Sequence, residues 1–314
     1  MVTLLLNKRI DRSPGKFNMQ HTTLSLRHGL LALAVVAVWG SNFVVIRLGL
    51  DQFPPFLFAG LRFSLAALPG VFFLPRPTVS WRNLAAYGIL IGSGQFGLLF
   101  LAMDGHISPG LASLVIQVQV FFTIFLSMAR TGERLQVFQI VSSLLAIAGI
   151  VVIAAHVNGH TTPLGLALVL LAAACWASGN IVAREGGPKN FLAYVVWGSL
   201  FSAPPLLAMS LIVDGPTAIA HALSHATPLA WVAVVWQSLG NSWFGYASWA
   251  FLLARYPSAT ISPMALLVPV FGMAASVAWL GEPMPGWKLS AAALVIIGLA
   301  VSVFYPRLRL LRVA

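Results

Sequence analysis

The sequence predicts an all-α integral membrane protein: ten transmembrane helices, arranged as two inverted five-helix repeats around a central cavity. Three observations carry this prediction. The 314 residues are 59% hydrophobic and 8% charged, with a mean hydropathy of +0.90, far outside the mix of a soluble domain. The apolar residues come in blocks of about 20, the length a helix needs to cross about 30 Å of hydrocarbon. Finally, "WGSNFVVIR" at 39–47 returns as "WASGNIVAR" at 176–184, and self-similarity of this kind marks a repeat.

Residues 1–28 are basic and polar and show no cleavage pattern after the first apolar run, so they read as a disordered cytoplasmic extension, with Met19 as an alternative start. The first span, near 29–48, carries Trp39, Asn42 and Phe43 on one face at i, i+3 and i+4. Arg62 lies within the second span (54–74) and Gln95 within the third (84–103), inside "GSGQFG". The fourth (108–129) holds Gln117 and Gln119, about 200° apart around a regular helix, so that only one of two stripes, Ser113 with Gln117 or Gln119 with Thr123, is expected to line a cavity. The fifth span is 137–155. The sixth (163–183) repeats the face of the first with Trp176 and Asn180, and the seventh is 191–213. Asn241 lies in the eighth (229–252), inside "GNSWFG". Pro263 and Pro269 remove backbone donors from the ninth (258–279) and are expected to kink it. The tenth (288–305) precedes a basic tail, 307–314. The two repeats are thus placed at 29–156 and 163–306.

The net charge of +11 is a topology signal rather than a nucleic-acid footprint. Fifteen of the 18 Lys and Arg residues occupy the termini and every second connection, and the other set of loops holds only Lys288. By the positive-inside rule both termini are cytoplasmic. The expected partners are a small-molecule substrate and the bilayer, not nucleic acid, with the chain acting as a monomer or a homodimer. The single cysteine, Cys175, excludes an intrachain disulfide. No motif calls for a metal or cofactor. An enzyme acting inside the membrane would need acids, histidines or a metal set at membrane depth, and that reading is disfavoured.

The repeat sets the architecture. "GSGQFG" (92–97) answers "GNSWFG" (240–245), and Gly132-Glu133 answers Gly281-Glu282, each Glu followed 16 residues on by a glycine, Gly149 or Gly298. The offsets of 137, 148 and 149 place an insertion in the second half, in the loop at 214–228. Five spans per copy is odd, so the second copy crosses in the opposite sense, as in transporters whose halves rock about a midplane site.

Counted from the span starts at about 1.5 Å per residue, Trp39, Arg62, Gln95, Gln117, Gln119 and Asn241 fall near the bilayer centre. No Asp or Glu lies within a span, so Arg62 either receives a substrate carboxylate, as guanidinium groups do in bidentate pairs, or caps backbone carbonyls or pairs with Asp51. Asn42, Asn180 and the tryptophans Trp39 and Trp176 either line the cavity or pack helices together. Arg47 and Arg184, at span ends, are expected to snorkel to head groups. Glu133 and Glu282 are read as carboxylates favouring the N-terminus of the helix that follows each. The histidines all lie outside or at the margins of the spans, so proton antiport, exchange and facilitated efflux stay open.

The first span, "GLRF" (60–63), "SPGLASLVIQVQVFFTIFLS" (108–127) leading into "GERL", and "SPMALLVPVFG" (262–272) resemble the EamA family of the drug/metabolite transporter superfamily, and within it the bacterial exporters of cysteine and O-acetylserine. "GEPMPG" (281–286) departs from the pattern only in a stiffer turn. The resemblance covers about residues 28–306. It implies an inner-membrane exporter of small metabolites, amino acids foremost. The family also exports drugs, a substrate class for which an acid or an aromatic cage suits better than a central arginine.

Overall fold

The computed structural model describes residues 24–131, 136–157 and 161–311. Residues 1–23, with Met19, and the pair Glu133 and Arg134 lie outside them. The described chain is all-helical: α1 Leu26–Leu50, α2 Pro55–Phe73, α3 Trp81–Met103, α4 Pro109–Arg130, α5 Val137–Ala154, α6 Pro163–Gly186, α7 Phe191–Val213, α8 Gly215–His225, α9 Pro228–Arg255, α10 Ser262–Leu280 and α11 Gly286–Tyr305. Nine are each long and apolar enough to cross a membrane; α8 and α9, bent by 101°, reach that standard together, giving up to ten spans. Gln237, Ser238, Asn241 and Ser242 depress the hydropathy of α9, and these same residues turn out to build the site.

Helix starts follow local chemistry. Thr162 and Thr227 accept hydrogen bonds from Gly165 N and Ala230 N while Pro163 and Pro228 fill the first helical position, where a missing N–H costs nothing. Ser25, Ser80 and Asn190 cap α1, α3 and α7 in the same way. The expected loop at 214–228 is instead largely the helix α8. Its 11 residues account for the step in repeat offset from 137 to 148.

The packing carries the two-fold relation. Exchanging α1 with α6, α2 with α7, α3 with α9, α4 with α10 and α5 with α11 pairs the most extensive contacts: α1 packs on α10 as α6 does on α4, and α1 on α9 as α6 on α3. Across the axis, α2 meets α7 and α5 meets α11.

The α5–α11 pair shows why the two matched glycines stand where they do. A Cβ on Gly149 would come within 2.7 Å of Val295 Cγ2 and 3.0 Å of Ala291 O, and one on Gly298 within 2.7 Å of Ser142 O. Each glycine admits the partner's backbone, the close approach that drives helix association in lipid. Gly149→Val and Gly298→Val are therefore each expected to cost about 1–3 kcal/mol by overpacking, read as a lowered unfolding midpoint. Gly29→Ala, whose Cβ would meet nothing closer than 3.6 Å, should leave the midpoint unchanged.

Candidate functional site

A cavity of about 160 Å³ runs along the bundle, and Trp39, Asn42, Gln95, Gln117, Gln119, Trp176, Asn180 and Asn241 all line it. They come from α1, α3, α4, α6 and α9, so both repeats contribute. Ile46 and Leu99 border it on one side of the midplane. Phe191, Trp249 and Val303 border it toward the end of the bundle where Arg130, Arg184 and Arg255 terminate helices. The remaining walls are largely aromatic and aliphatic, Phe43, Tyr87, Phe96 and Tyr246 among them.

Arg62 is placed differently. It is 1% exposed and does not line this cavity; it lines a neighbouring void of about 10 Å³, separated from the first by Tyr87, Ile91, Phe96 and Tyr246, which border both. Its two terminal nitrogens donate to Gln237 Oε1 and Ser242 Oγ, both at 2.9 Å. Its guanidinium carbon lies 4.0 Å from the Phe96 ring centre and 4.6 Å from that of Phe63, within cation–π range. The guanidinium thus bonds side chains rather than backbone carbonyls, and Asp51 pairs with Arg47 at 2.8 Å. Arg184 donates to Ser127 Oγ at 3.0 Å, tying α6 to α4.

Gln237 connects Arg62 to the cavity. Its amide nitrogen donates to Asn42 Oδ1 at 2.8 Å, and its oxygen, already bonded to Arg62, accepts from Asn42 Nδ2 at 3.4 Å. Sequence reading misses Gln237, although the spacing of Gln237 with Asn241 and Ser238 with Ser242, i to i+4 on two adjacent stripes, signals a polar face. Trp39 Nε1 donates to Asn241 O at 3.2 Å, and Asn180 Nδ2 to Gln119 Oε1 at 3.2 Å. The asparagines and Trp39 thus both line the cavity and join helices.

The backbone around these residues is irregular, in repeat-matched pairs. Ile89–Gly97 of α3 and Trp236–Phe244 of α9 are both nine-residue π-helical stretches, and Ile116–Val118 of α4 and Ser262–Leu267 of α10 are both 3₁₀. Such departures from α geometry recur at functional sites. They also correct the expectation for α4, since Gln117 and Gln119 both line the cavity. At about 120° per residue a 3₁₀ turn brings positions two apart to roughly 120° of each other, against about 160° in an α-helix. Pro263 stands in the first turn of the 3₁₀ stretch and Pro269 in that of the α-helical segment that follows it, so the irregularity of α10 falls between the two prolines.

At the opposite end of the bundle, Gly281 turns the chain at φ +63° and presents Glu282. Its carboxylate accepts from Ser108 Oγ (2.5 Å), Gly110 N (3.0 Å), Ser276 Oγ (2.6 Å) and Lys288 Nζ (2.7 Å). Glu282 therefore favours a helix N-terminus, but that of α4 in the other repeat rather than that of α11, which follows it. Burial pushes the carboxyl up, yet the hydrogen bonds from Lys288, Ser108, Ser276 and Gly110 outweigh it and hold the group below the usual carboxylate range.

Two inverted five-helix repeats enclosing a cavity define a membrane transporter. The chain belongs to the EamA-like transporter family, whose family model matches residues 27–155 and again 163–304. A relative from Salmonella typhimurium, named a probable amino-acid metabolite efflux pump, is 41% identical over 292 residues, covering 91% of this chain and 98% of its own. Its namesake in Escherichia coli is 40% identical with the same coverage. A probable terminal-alkyne amino-acid exporter of Streptantibioticus cattleyicolor is 31% identical, over 85% of this chain and 90% of its own. A crystal structure at 20% identity, covering 90% of this chain and 98% of its own, superposes with a TM-score of 0.59 and so shares the fold.

Proposed function

We propose that this transporter exports small amino-acid-class metabolites across the bacterial inner membrane by alternating access, with cysteine and O-acetylserine as first candidates. One observation carries the reading: amide and indole side chains from both repeats converge on a single cavity beside a buried guanidinium that belongs to none of the ion pairs among the described residues. The volume, about 160 Å³, compares with the roughly 150 Å³ that accommodates one benzene ring in a protein core, a size suited to a small amino acid. The amides of Asn42, Gln95, Gln117, Gln119, Asn180 and Asn241 supply donors and acceptors for a polar solute, and Arg62 takes its carboxylate once Phe96 and Gln237 give way. The names of the relatives support the amino-acid class, and the basic end of the bundle supports cytoplasmic termini. The aromatic walls favour a second reading, export of cationic or apolar drugs.

Counterflow into proteoliposomes separates the two. Labelled cysteine, O-acetylserine and other neutral amino acids are expected to exchange, while amines of the same size without a carboxylate and a cationic dye are not. Dye exchange without amino-acid exchange would overturn the reading.

A further inference from the structure

The two-fold relation between the repeats is incomplete at one end of the bundle. Because α4 and α10 exchange under it, their contact should look the same from either end, and it does not. At the Glu282 end, Pro109–Val115 of α4 pack along Val268–Leu280 of α10 and against α1. The mates of these contacts, Ser262–Leu267 of α10 against the second half of α4 and against α6, have no comparable packing among the described residues. Likewise α1 meets Leu98–Met103 of α3, while α6 has no comparable contact with Gly245–Arg255 of α9.

The contacts that are made are tight. A Cβ on Gly272 would come within 2.5 Å of Ser113 Oγ, and one on Gly110 within 2.9 Å of Glu282 Oε2. The surfaces left apart are walls of the cavity: Gln119 and Val120 of α4, Asn180 of α6, and Ser262, Ala265 and Leu266 of α10 all line it. The bundle is thus sealed at the Glu282 end and parted at the basic end, as in one of the two states between which halves related by a two-fold axis rock.

Glu282 stands at the seal with its four donors divided between the repeats. Ser276 and Lys288 belong to its own repeat, Ser108 and the Gly110 N–H to the other. Moving α4 away from α10 therefore breaks two hydrogen bonds and leaves the ion pair whole. That division matters, because a buried carboxylate stripped of its cation is strongly unfavourable, whereas hydrogen bonds to a carboxylate that keeps its cation can be exchanged for water. The cluster is built to part along one line.

We propose that Glu282 is the latch of a gate at this end: its carboxylate holds Ser108 and Gly110 of α4 and so keeps the cavity closed there. The opposite state is reached when those two bonds part while Lys288 stays with the carboxylate. The latch rests on alternating access as put forward above, and not on the identity of the solute.

The test is cysteine labelling in membrane vesicles of each orientation, with a membrane-impermeant maleimide and no solute present. Cys175→Ser removes the single native thiol. In that background Ser113→Cys, at a fully buried position in the sealed contact, reports opening at the Glu282 end, and Ala265→Cys, on the cavity wall, reports the parted end. Glu282→Gln with Lys288→Met replaces charge-assisted bonds to α4 by weaker neutral ones. Ser113→Cys is then expected to react about tenfold faster from the Glu282 side and Ala265→Cys about half as fast from the basic side, as when the fraction open at the Glu282 end rises from roughly 5% to roughly 50%. Ser108→Ala, which removes one bond and no charge, should speed the first reaction by about two- to threefold with a smaller loss in the second. A cluster that only holds the fold together makes a different forecast, with both cysteines reacting faster or neither changing, and either result overturns the proposal. Reciprocal labelling with failed amino-acid counterflow would sink the proposed substrate class and leave the latch standing; amino-acid exchange without reciprocal labelling would do the reverse.

Discussion

Replacing Glu282 by alanine is expected to destabilise the protein by about 3–5 kcal/mol, the cost of removing one member of a buried ion pair. The side chains of Glu282 and Lys288 are 7% and 9% exposed, so the variant strands a buried ammonium and also strips the acceptor from Ser108, Ser276 and the Gly110 N–H. The unfolding midpoint of the purified protein reads the effect. Glu282→Gln combined with Lys288→Met is expected to be much less destabilised than Glu282→Ala, because a neutral pair of similar volume leaves no buried charge to desolvate and the introduced amide oxygen can still accept; an equal loss would show that the carboxylate's bonds to Ser108 and Gly110 dominate. The pH dependence has a definite sign. The folded pKa of Glu282 lies below the ordinary 4.5, so its contribution is complete above that value and is lost as pH falls through the lower folded value. Wild-type protein is expected to lose stability on acidification below about pH 4.5, and Glu282→Gln to lack that part of the acid limb.

Glu282 also shows what the sequence could and could not reveal. A carboxylate beside a helix start is visible as a pattern, but which N-terminus it serves depends on how two repeats distant in sequence meet, and no local rule reaches that far. The spans and the repeat were legible because lipid imposes length and apolarity on each segment separately. Counting residues from span starts groups Trp39, Gln95, Gln117, Gln119 and Asn241, and the structure sets these five around one cavity. Rotation about the helix axis was not legible. The π-helical and 3₁₀ stretches of α3, α4, α9 and α10 alter the angle per residue just where polar side chains lie, so a fixed period separated Gln117 from Gln119. The position of Arg62, behind Phe96 rather than in the open, rests on contacts between α2, α3 and α9 that only the packed bundle defines.

Arg62→Gln is expected to lower counterflow of carboxylate-bearing solutes by about one to two orders of magnitude, since hydrogen bonds to a charged group contribute roughly 1.5–3 kcal/mol. The guanidinium reaches Gln237 and Ser242 at once, 2.9 Å from each; a lysine ammonium is a point charge and cannot reproduce that fork. Arg62→Lys is therefore expected to keep part of the charge attraction while losing orientation, and to fall between wild type and Arg62→Gln. Gln237→Glu tests the same guanidinium from the other side: an internal carboxylate held against Arg62 competes with that of the solute, so transport should fall although every cationic group remains. A structural role for Arg62 makes a different forecast. Misfolding would lower the amount of inserted protein and slow all solutes alike, and Gln237→Glu, by giving the buried charge a partner, would leave transport unchanged or raise it. Equal exchange of amino acids by Arg62→Gln and wild type, in matched amounts of inserted protein, would remove Arg62 from the substrate path and leave recognition to the amides of the large cavity.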